Sequence, residues 1–270
     1  MRWFALAVLL AGCDAKPAAP PAERYDRIVS IVPSVTEMLF AVGAGDQVVG
    51  VTTYCEHPPE AKAKEKVGDI VVNVEKVLAL RPECVMSVER MTRETNRALE
   101  KRGIRVVEIY GESFEEIAAQ LRRLGRLTGH PERGEEAARA IEARVRAVEE
   151  RVKGKPAPSF FFESSFDPLW SVSPRGYAGD AIRRAGGRNV MDDLPGAWGM
   201  VSWEVVLKRD PDVIFIAHGQ TKDLASRAGW ANLKAVRAGR VHVVPKEAFI
   251  YPTPRLADGL ELAARLLHGD

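Results

Sequence analysis

Residues 74–88, "VEKVLALRPECVMSV", can be laid over residues 203–217, "WEVVLKRDPDVIFIA": Glu75 and Glu204 each stand seven residues before a proline, Pro82 and Pro211, and an acid and an apolar run follow each proline. A second echo sets Glu37 six residues before Gly43 and Asp180 six residues before Gly186. One α/β unit is used twice, so the chain is expected to fold as two related lobes. Asn73 and Ser202 stand two positions before the glutamates. Both are good N-cap residues, which puts each carboxylate in the first turn of its helix, where it complements the helix dipole. Dipole complementation accounts for either acid alone. A matched pair on lobes related by a pseudo-twofold also places two carboxylates on equivalent surfaces.

The alternation around these stretches gives the fold class. "RIVSIV", "QVVGVTT", "CVMSV" and "VVEIY" read as strands separated by helical patterns, and after residue 154 "FFFE", "VIFIA" and "VHVV" resume the alternation, closing with "PRLADGLELAARLLH". Strands alternating with helices argue for parallel-type sheets covered on both faces. Ser34 with Glu37 and Ser113 with Glu116 fit the capping box, the first marking a helix that starts near Ser34. Between the two α/β regions runs "PERGEEAARAIEARVRAVEERV", with Pro131 near its start and an apolar stripe at Ile141, Val145, Val148 and Val152. Such a helix reaches roughly 30 Å, enough to join two lobes. The expected division is an N-terminal lobe over 26–130, a connecting helix over 131–153 and a C-terminal lobe over 154–270.

The first 25 residues belong to neither lobe. Arg2 is followed by nine apolar residues and then by Gly12 and Cys13. That is a signal peptide's layout, and the run falls short of the roughly 20 apolar residues a spanning helix needs. Leu10-Ala11-Gly12-Cys13 resembles a bacterial lipobox, with residues 1–12 as the signal peptide and Cys13 as the lipidated first residue of the mature chain. The Pro/Ala-rich stretch to residue 25 is a tether that lets a folded body stand off a membrane. The protein is expected to be exported and lipid-anchored in the cell envelope, on the extracytoplasmic side. About 245 residues remain, room for one large or two medium lobes. A net charge of +2 with both signs interspersed offers no basic stripe, which excludes nucleic-acid binding.

"TTYCEHPPE", residues 52–60, packs Tyr54, Cys55, Glu56 and His57 together, and those residue types allow a metal site, a nucleophile with its base or a pocket wall. Zinc would need two more ligands, but His130, His218, His242 and His268 form no His-x-x-x-His pair and no Cys-x-x-Cys occurs. A disulfide to Cys84 fails on reach. Cys55 follows its strand while Cys84 begins one, which sets them roughly 15 Å apart against a Cα limit near 7 Å. Both thiols are expected free. As a nucleophile Cys55 has His57 two residues on, with no evident orienting carboxylate, and no G-x-S-x-G or H-E-x-x-H accompanies it. A Cys/His-dependent hydrolase is therefore the rival reading, and no metal site or catalytic residue is expected. What remains is position, since the segment leaves the carboxyl end of a strand, where open α/β sheets bind ligands. Trp170 in "FDPLWSVSP" and Trp198 in "PGAWGMVSWE" lie in Gly/Pro-rich stretches expected to be loops, from which they could face Tyr54 across a cleft.

"RIVSIVPSVTEMLFAVGAGDQVVGV", "TTYCEHPPEA", "NVEKVLALRPECVM" and "VSWEVVLKRDPDVIFI", with the connecting helix, resemble the cobalamin-binding periplasmic protein and its relatives, the solute-binding proteins of ABC importers for cobalamin, haem and iron-siderophores. The similarity runs over essentially the whole mature chain. It implies a two-lobed receptor with a rigid helical backbone, acting as a monomer. Such a receptor captures cobalamin or another corrinoid in the inter-lobe cleft and delivers it to a permease dimer and its ATPase, with haem or an iron-siderophore as the alternative ligand. No cofactor is implied, the tetrapyrrole being the transported ligand. By position Tyr54 and Trp198 match pocket residues, Trp170 falls on a phenylalanine, and Phe249 and Tyr251 are counted among the ligand-binding residues. Glu75 and Glu204 match two lobe-surface glutamates that dock onto arginines of the permease. Two further pocket tryptophans of the cobalamin binder are replaced by Asp69 and Val88, which removes part of the aromatic wall.

Overall fold

The computed structural model describes residues 23–219, 221 and 224–269. Residues 1–12, Cys13 and most of the tether lie outside them. The chain runs β1 (Ile28–Ser30), α1 (Pro33–Ala41), β2 (Val48–Val51), β3 (Glu65–Lys66), α2 (Val74–Ala79), β4 (Cys84–Ser87), α3 (Glu89–Glu100), β5 (Arg105–Glu108) and α4 (Phe114–Thr128). Then come α5 (Pro131–Val152), β6 (Ser159–Glu163), β7 (Trp170–Val172), α6 (Tyr177–Arg184), β8 (Arg188–Asn189), β9 (Trp198–Met200), α7 (Trp203–Arg209), β10 (Val213–Ile216), α8 (Lys234–Arg237), β11 (Val241–Val243) and α9 (Leu256–His268). The first five strands form one parallel sheet in the order β3-β2-β1-β4-β5. A second parallel sheet follows the order β11-β10-β6-β8. Strands β1, β4, β6 and β10 are buried throughout, as strands covered on both faces must be.

The repeat is written into the backbone. Gly43 after α1 and Gly186 after α6 are both left-handed, with φ of 81° and 89°. Among the described residues the non-glycine residues at positive φ are Arg81 and Asp210, which precede the paired prolines Pro82 and Pro211. A proline disfavours the right-handed helical conformation in the residue before it, so each helix ends there and the chain turns into the next strand. Asn73 caps α2 by accepting from the Lys76 N–H at 3.0 Å. Ser202 stands at the N-cap of α7 but makes no side-chain cap bond.

The capping box at Ser34 does not form. Helix α1 begins at Pro33 with Val32 as its N-cap, so Ser34 is already inside the helix. The Glu37 carboxylate turns instead to Arg255 at the start of α9, which donates from Nε at 2.9 and 3.0 Å and from Nη2 at 2.6 Å. Ser113 does cap α4, accepting from the Glu116 N–H, although the Glu116 carboxylate reaches the Glu112 N–H rather than that of Ser113.

Helix α5 buries Ile141, Val145, Val148 and Val152. It is fastened to α4 by Arg122, which binds Glu135 and Glu142, both at 2.7 Å. Toward its other end Arg144 binds Asp258 and Glu261 of α9, and Glu149 binds Arg184 of α6. Arg184 also reaches across to Glu115 of α4 at 2.7 Å. The first sheet's helices are thus ionically tied to the second sheet's at two places, Glu37 with Arg255 and Glu115 with Arg184. Glu37 and Asp180 are repeat mates, and Asp180 is the carboxylate that steadies Arg184 from within α6.

Candidate functional site

The carboxyl ends of the strands from both sheets open onto one cleft of about 710 Å³. Its first wall comes from residues 31–34 after β1, Thr52 and Tyr54 after β2, Asp69, Ile70 and Val72 before α2, Val88, Arg90 and Met91 after β4, and Tyr110 after β5. Its second wall is Ser164, Trp170, Tyr177, Trp198 and residues 250–252. Tyr54, Trp170, Trp198 and Tyr251 therefore lie together, as do Asp69 and Val88. Tyr54 is 54% exposed and reaches into the opening.

Trp170 and Trp198 are not in loops. They sit on a two-stranded antiparallel ribbon, β7 with β9, where Trp170 pairs with Met200 and Val172 with Trp198. The ribbon fixes both indoles more firmly than a Gly/Pro loop would. Trp198 is backed by Tyr177, with ring centroids 5.3 Å apart, and by Phe162 at 6.2 Å. Phe249 is a correction. It is fully buried, packed on Phe162 at 5.7 Å and Phe215 at 6.4 Å. It lies beneath the second wall and supports it rather than forming it.

Tyr110 and Tyr177 were missed. Tyr110 ends the β5 segment as Tyr54 follows β2, so the strand-end rule that picked out Tyr54 applies to it equally. Tyr177 stands three residues before Asp180 as Ser34 stands three before Glu37, so the repeat marks it as the mate of another cleft residue.

The electrostatics are close to neutral. Asp69 and Arg90 are the charged side chains in the lining. The Arg90 guanidinium lies 4.2 Å over the Tyr110 ring and binds Glu112 at 2.9 Å. The Tyr110 hydroxyl donates to the same carboxylate. Burial, and then that bond, push the phenol well above its ordinary range. Burial likewise raises Tyr177 and Tyr251. All three therefore present neutral hydroxyls.

Cys55 is fully buried and its sulfur sits between the Thr36 and Thr52 hydroxyls at 3.1 and 3.2 Å. That is a packing position without a base beside it. Cys84 is buried as well, both thiols are free, and burial pushes Cys84 up to about 12. Among the described residues no group of three His, Cys, Asp or Glu side chains is arranged to hold a metal. His57 lines a different and larger depression, about 810 Å³, which runs past Glu37 and Phe40 to Lys64 and Arg255. That depression is lined by acids and bases and follows α1 toward its end, whereas the aromatic cleft takes the start of α1 and the strand termini.

Glu75 and Glu204 lie in the first turns of α2 and α7, exposed and outside the cleft lining. Arg102 approaches Glu75 at 3.5 Å, both side chains well exposed. The helix-start N–H of Glu204 itself and the nearby Ser202 hydroxyl hold the Glu204 carboxyl below the usual range.

Two parallel sheets whose strand ends open onto one aromatic cleft make a solute-binding architecture. The periplasmic binding protein family model matches residues 28–248, and the chain belongs to that family. It is 31% identical over 253 residues to the uncharacterized ABC transporter substrate-binding lipoprotein YvrC of Bacillus subtilis, covering 90% of this chain and 80% of that protein. The periplasmic vitamin B12 binding protein BtuF of Vibrio cholerae superposes with a TM-score of 0.79 at 28% identity, over 90% of this chain and 96% of that one. A periplasmic heme binding protein of Pseudomonas aeruginosa does so with a TM-score of 0.79 at 29% identity, over 91% and 94%. The protein is an extracytoplasmic substrate-binding protein of the ABC-transporter class, a family of binding rather than catalytic proteins.

Proposed function

We propose that this receptor captures cobalamin or another corrinoid between its walls and delivers it to an ABC importer's permease and ATPase. The observation that carries the reading is the cleft itself. Tyr54, Trp170, Trp198 and Tyr251 line it together with two further phenols, and one acid and one already partnered arginine are its charges. Such a wall suits a large, flat, partly apolar ligand, and the volume falls within the range of small-molecule sites. The resemblance to a vitamin B12 binding protein supports the corrinoid, and that to a heme binding protein keeps haem as the competing ligand. We take the lobes as residues 26–130 and 154–270 about the helix 131–153. Lipidation at Cys13 holds the protein at the extracytoplasmic face, supported by the Leu-Ala-Gly-Cys run and by the lipoprotein description of the B. subtilis relative.

In this reading Glu75 and Glu204 form a two-pronged acidic address for the two halves of the permease. Interface carboxylates chiefly set orientation and encounter rate. The test is uptake of radiolabelled cyanocobalamin by a host strain lacking the receptor gene and carrying variants of it. Glu75→Ala and Glu204→Ala should each lower uptake, and together more so, with ligand affinity of the isolated receptor unchanged. Loss of affinity in either variant would move the glutamates into the pocket and end the docking reading. Cys13→Ser should release the protein from the membrane fraction.

A further inference from the structure

The two lobes repeat an apolar feature as well as an acidic one. Val71 stands two residues before the N-cap Asn73, and Met200 two residues before the N-cap Ser202, so each lies four residues ahead of its glutamate, Glu75 or Glu204. Val71 is 78% exposed and Met200 66% exposed. Neither lines the cleft, although each has a lining neighbour close by, Ile70 and Trp198.

Local structure sets where they stand. On the first lobe Gly68 and Val72 close a small loop by an antiparallel bridge, and Asp69 accepts from the Val71 N–H at 2.9 Å. On the second lobe Met200 ends β9 opposite Trp170 and two residues after Trp198, so it shares the face of the two cleft tryptophans and stands at the rim of the opening. Single exposed apolar residues need no explanation. A matched pair, each four residues ahead of an exposed carboxylate at a helix start, is a different observation.

We propose that Val71 and Met200 are docking knobs, each entering an apolar socket beside a basic group on one half of a two-subunit permease. The partner's chemistry follows from the surface: it must present the same apolar-plus-cationic patch twice, because the receptor presents the apolar-plus-anionic patch twice. The glutamates set encounter and register, and the knobs, by losing water at contact, set the lifetime of the complex. This rests on the docking reading of Glu75 and Glu204.

The test is surface-plasmon-resonance binding of the purified receptor to its permease–ATPase complex in lipid nanodiscs, at low and physiological salt. Val71→Ser and Met200→Gln should each speed dissociation by about ten-fold, with the salt dependence of association intact; a matching loss of cyanocobalamin affinity would assign the side chain to the cleft rim and overturn its role as a knob. Val71→Ile and Met200→Leu should restore the wild-type lifetime. Glu75→Ala and Glu204→Ala should instead slow association and flatten its salt dependence. Wild-type lifetimes in the Ser and Gln variants, with the glutamate variants impaired, would overturn the knobs and leave the acidic address standing. Normal binding by the glutamate variants would overturn the docking reading and this inference with it. Equal loss of binding to empty nanodiscs would assign the surface to lipid, and loss of a self-associated form in sedimentation would assign it to a second copy; either would overturn the proposal.

Discussion

Trp198 joins the cleft to the core, with its indole backed by Tyr177 and Phe162 and its face toward the opening. Trp198→Ala should therefore weaken ligand binding by about 1–3 kcal/mol. Calorimetry beside a thermal melt checks this, because a drop in affinity without a collapse of the melt isolates the contact from the packing. Phe249, one ring further in, was taken for a wall residue. From sequence an aromatic in "EAFIYP" looks the same whether it faces the cleft or the ring behind it, since alternation is lost outside a strand. Glu204 gives a test of a different kind. Its carboxyl is held below the ordinary value of 4.5 by its own backbone N–H and by Ser202. The native state thus favours the charged form, and whatever this group contributes is complete above the ordinary carboxylate range and is lost as pH falls through the lowered value. A carbon-13 titration of the Glu204 side chain should give a midpoint below 4.5. A midpoint above it would show that the helix start does not hold the carboxylate.

At the scale of elements the longer parallel strands were legible because each is a short apolar run, whereas the two-residue edge strands β3 (Glu65–Lys66) and β8 (Arg188–Asn189) are polar and were not; both helices carrying the paired glutamates were legible because Asn73 and Ser202 mark their starts. The ribbon β7–β9 was not. Its strands have three residues each and lie among glycines and prolines, so no period-two pattern has room to show. Ser34 with Glu37 had the spacing of a cap, yet Pro33 takes the first helical position and leaves Glu37 free to meet Arg255, a partner more than two hundred residues away that no local pattern can reveal. The α4–α5 crossing depends on another invisible pair. A Cβ on Gly134 would stand 2.7 Å from the Leu121 carbonyl and 3.0 Å from the Gly125 Cα. The obstacles are backbone, so the helices would have to part. Gly134→Ala should cost about 1–3 kcal/mol, read as a lower urea midpoint with an unchanged slope; a neutral substitution would mean that the helices are not in close contact.

Among the described residues a 22-residue helix runs between two parallel sheets in the chain, and the helices around them are tied across by Glu37–Arg255 and Glu115–Arg184. The alternation of strands and helices and the long helix were legible because both are written locally. The ligand is harder to read, because the wall is assembled from segments far apart in the chain, residues 31–34 to 251 and 252. Isothermal titration of cyanocobalamin into the purified receptor addresses that question directly. The corrinoid reading predicts saturable binding at one site per chain, weakened in Trp198→Ala. No heat of binding at high micromolar cyanocobalamin, alongside saturable binding of hemin, would contradict it.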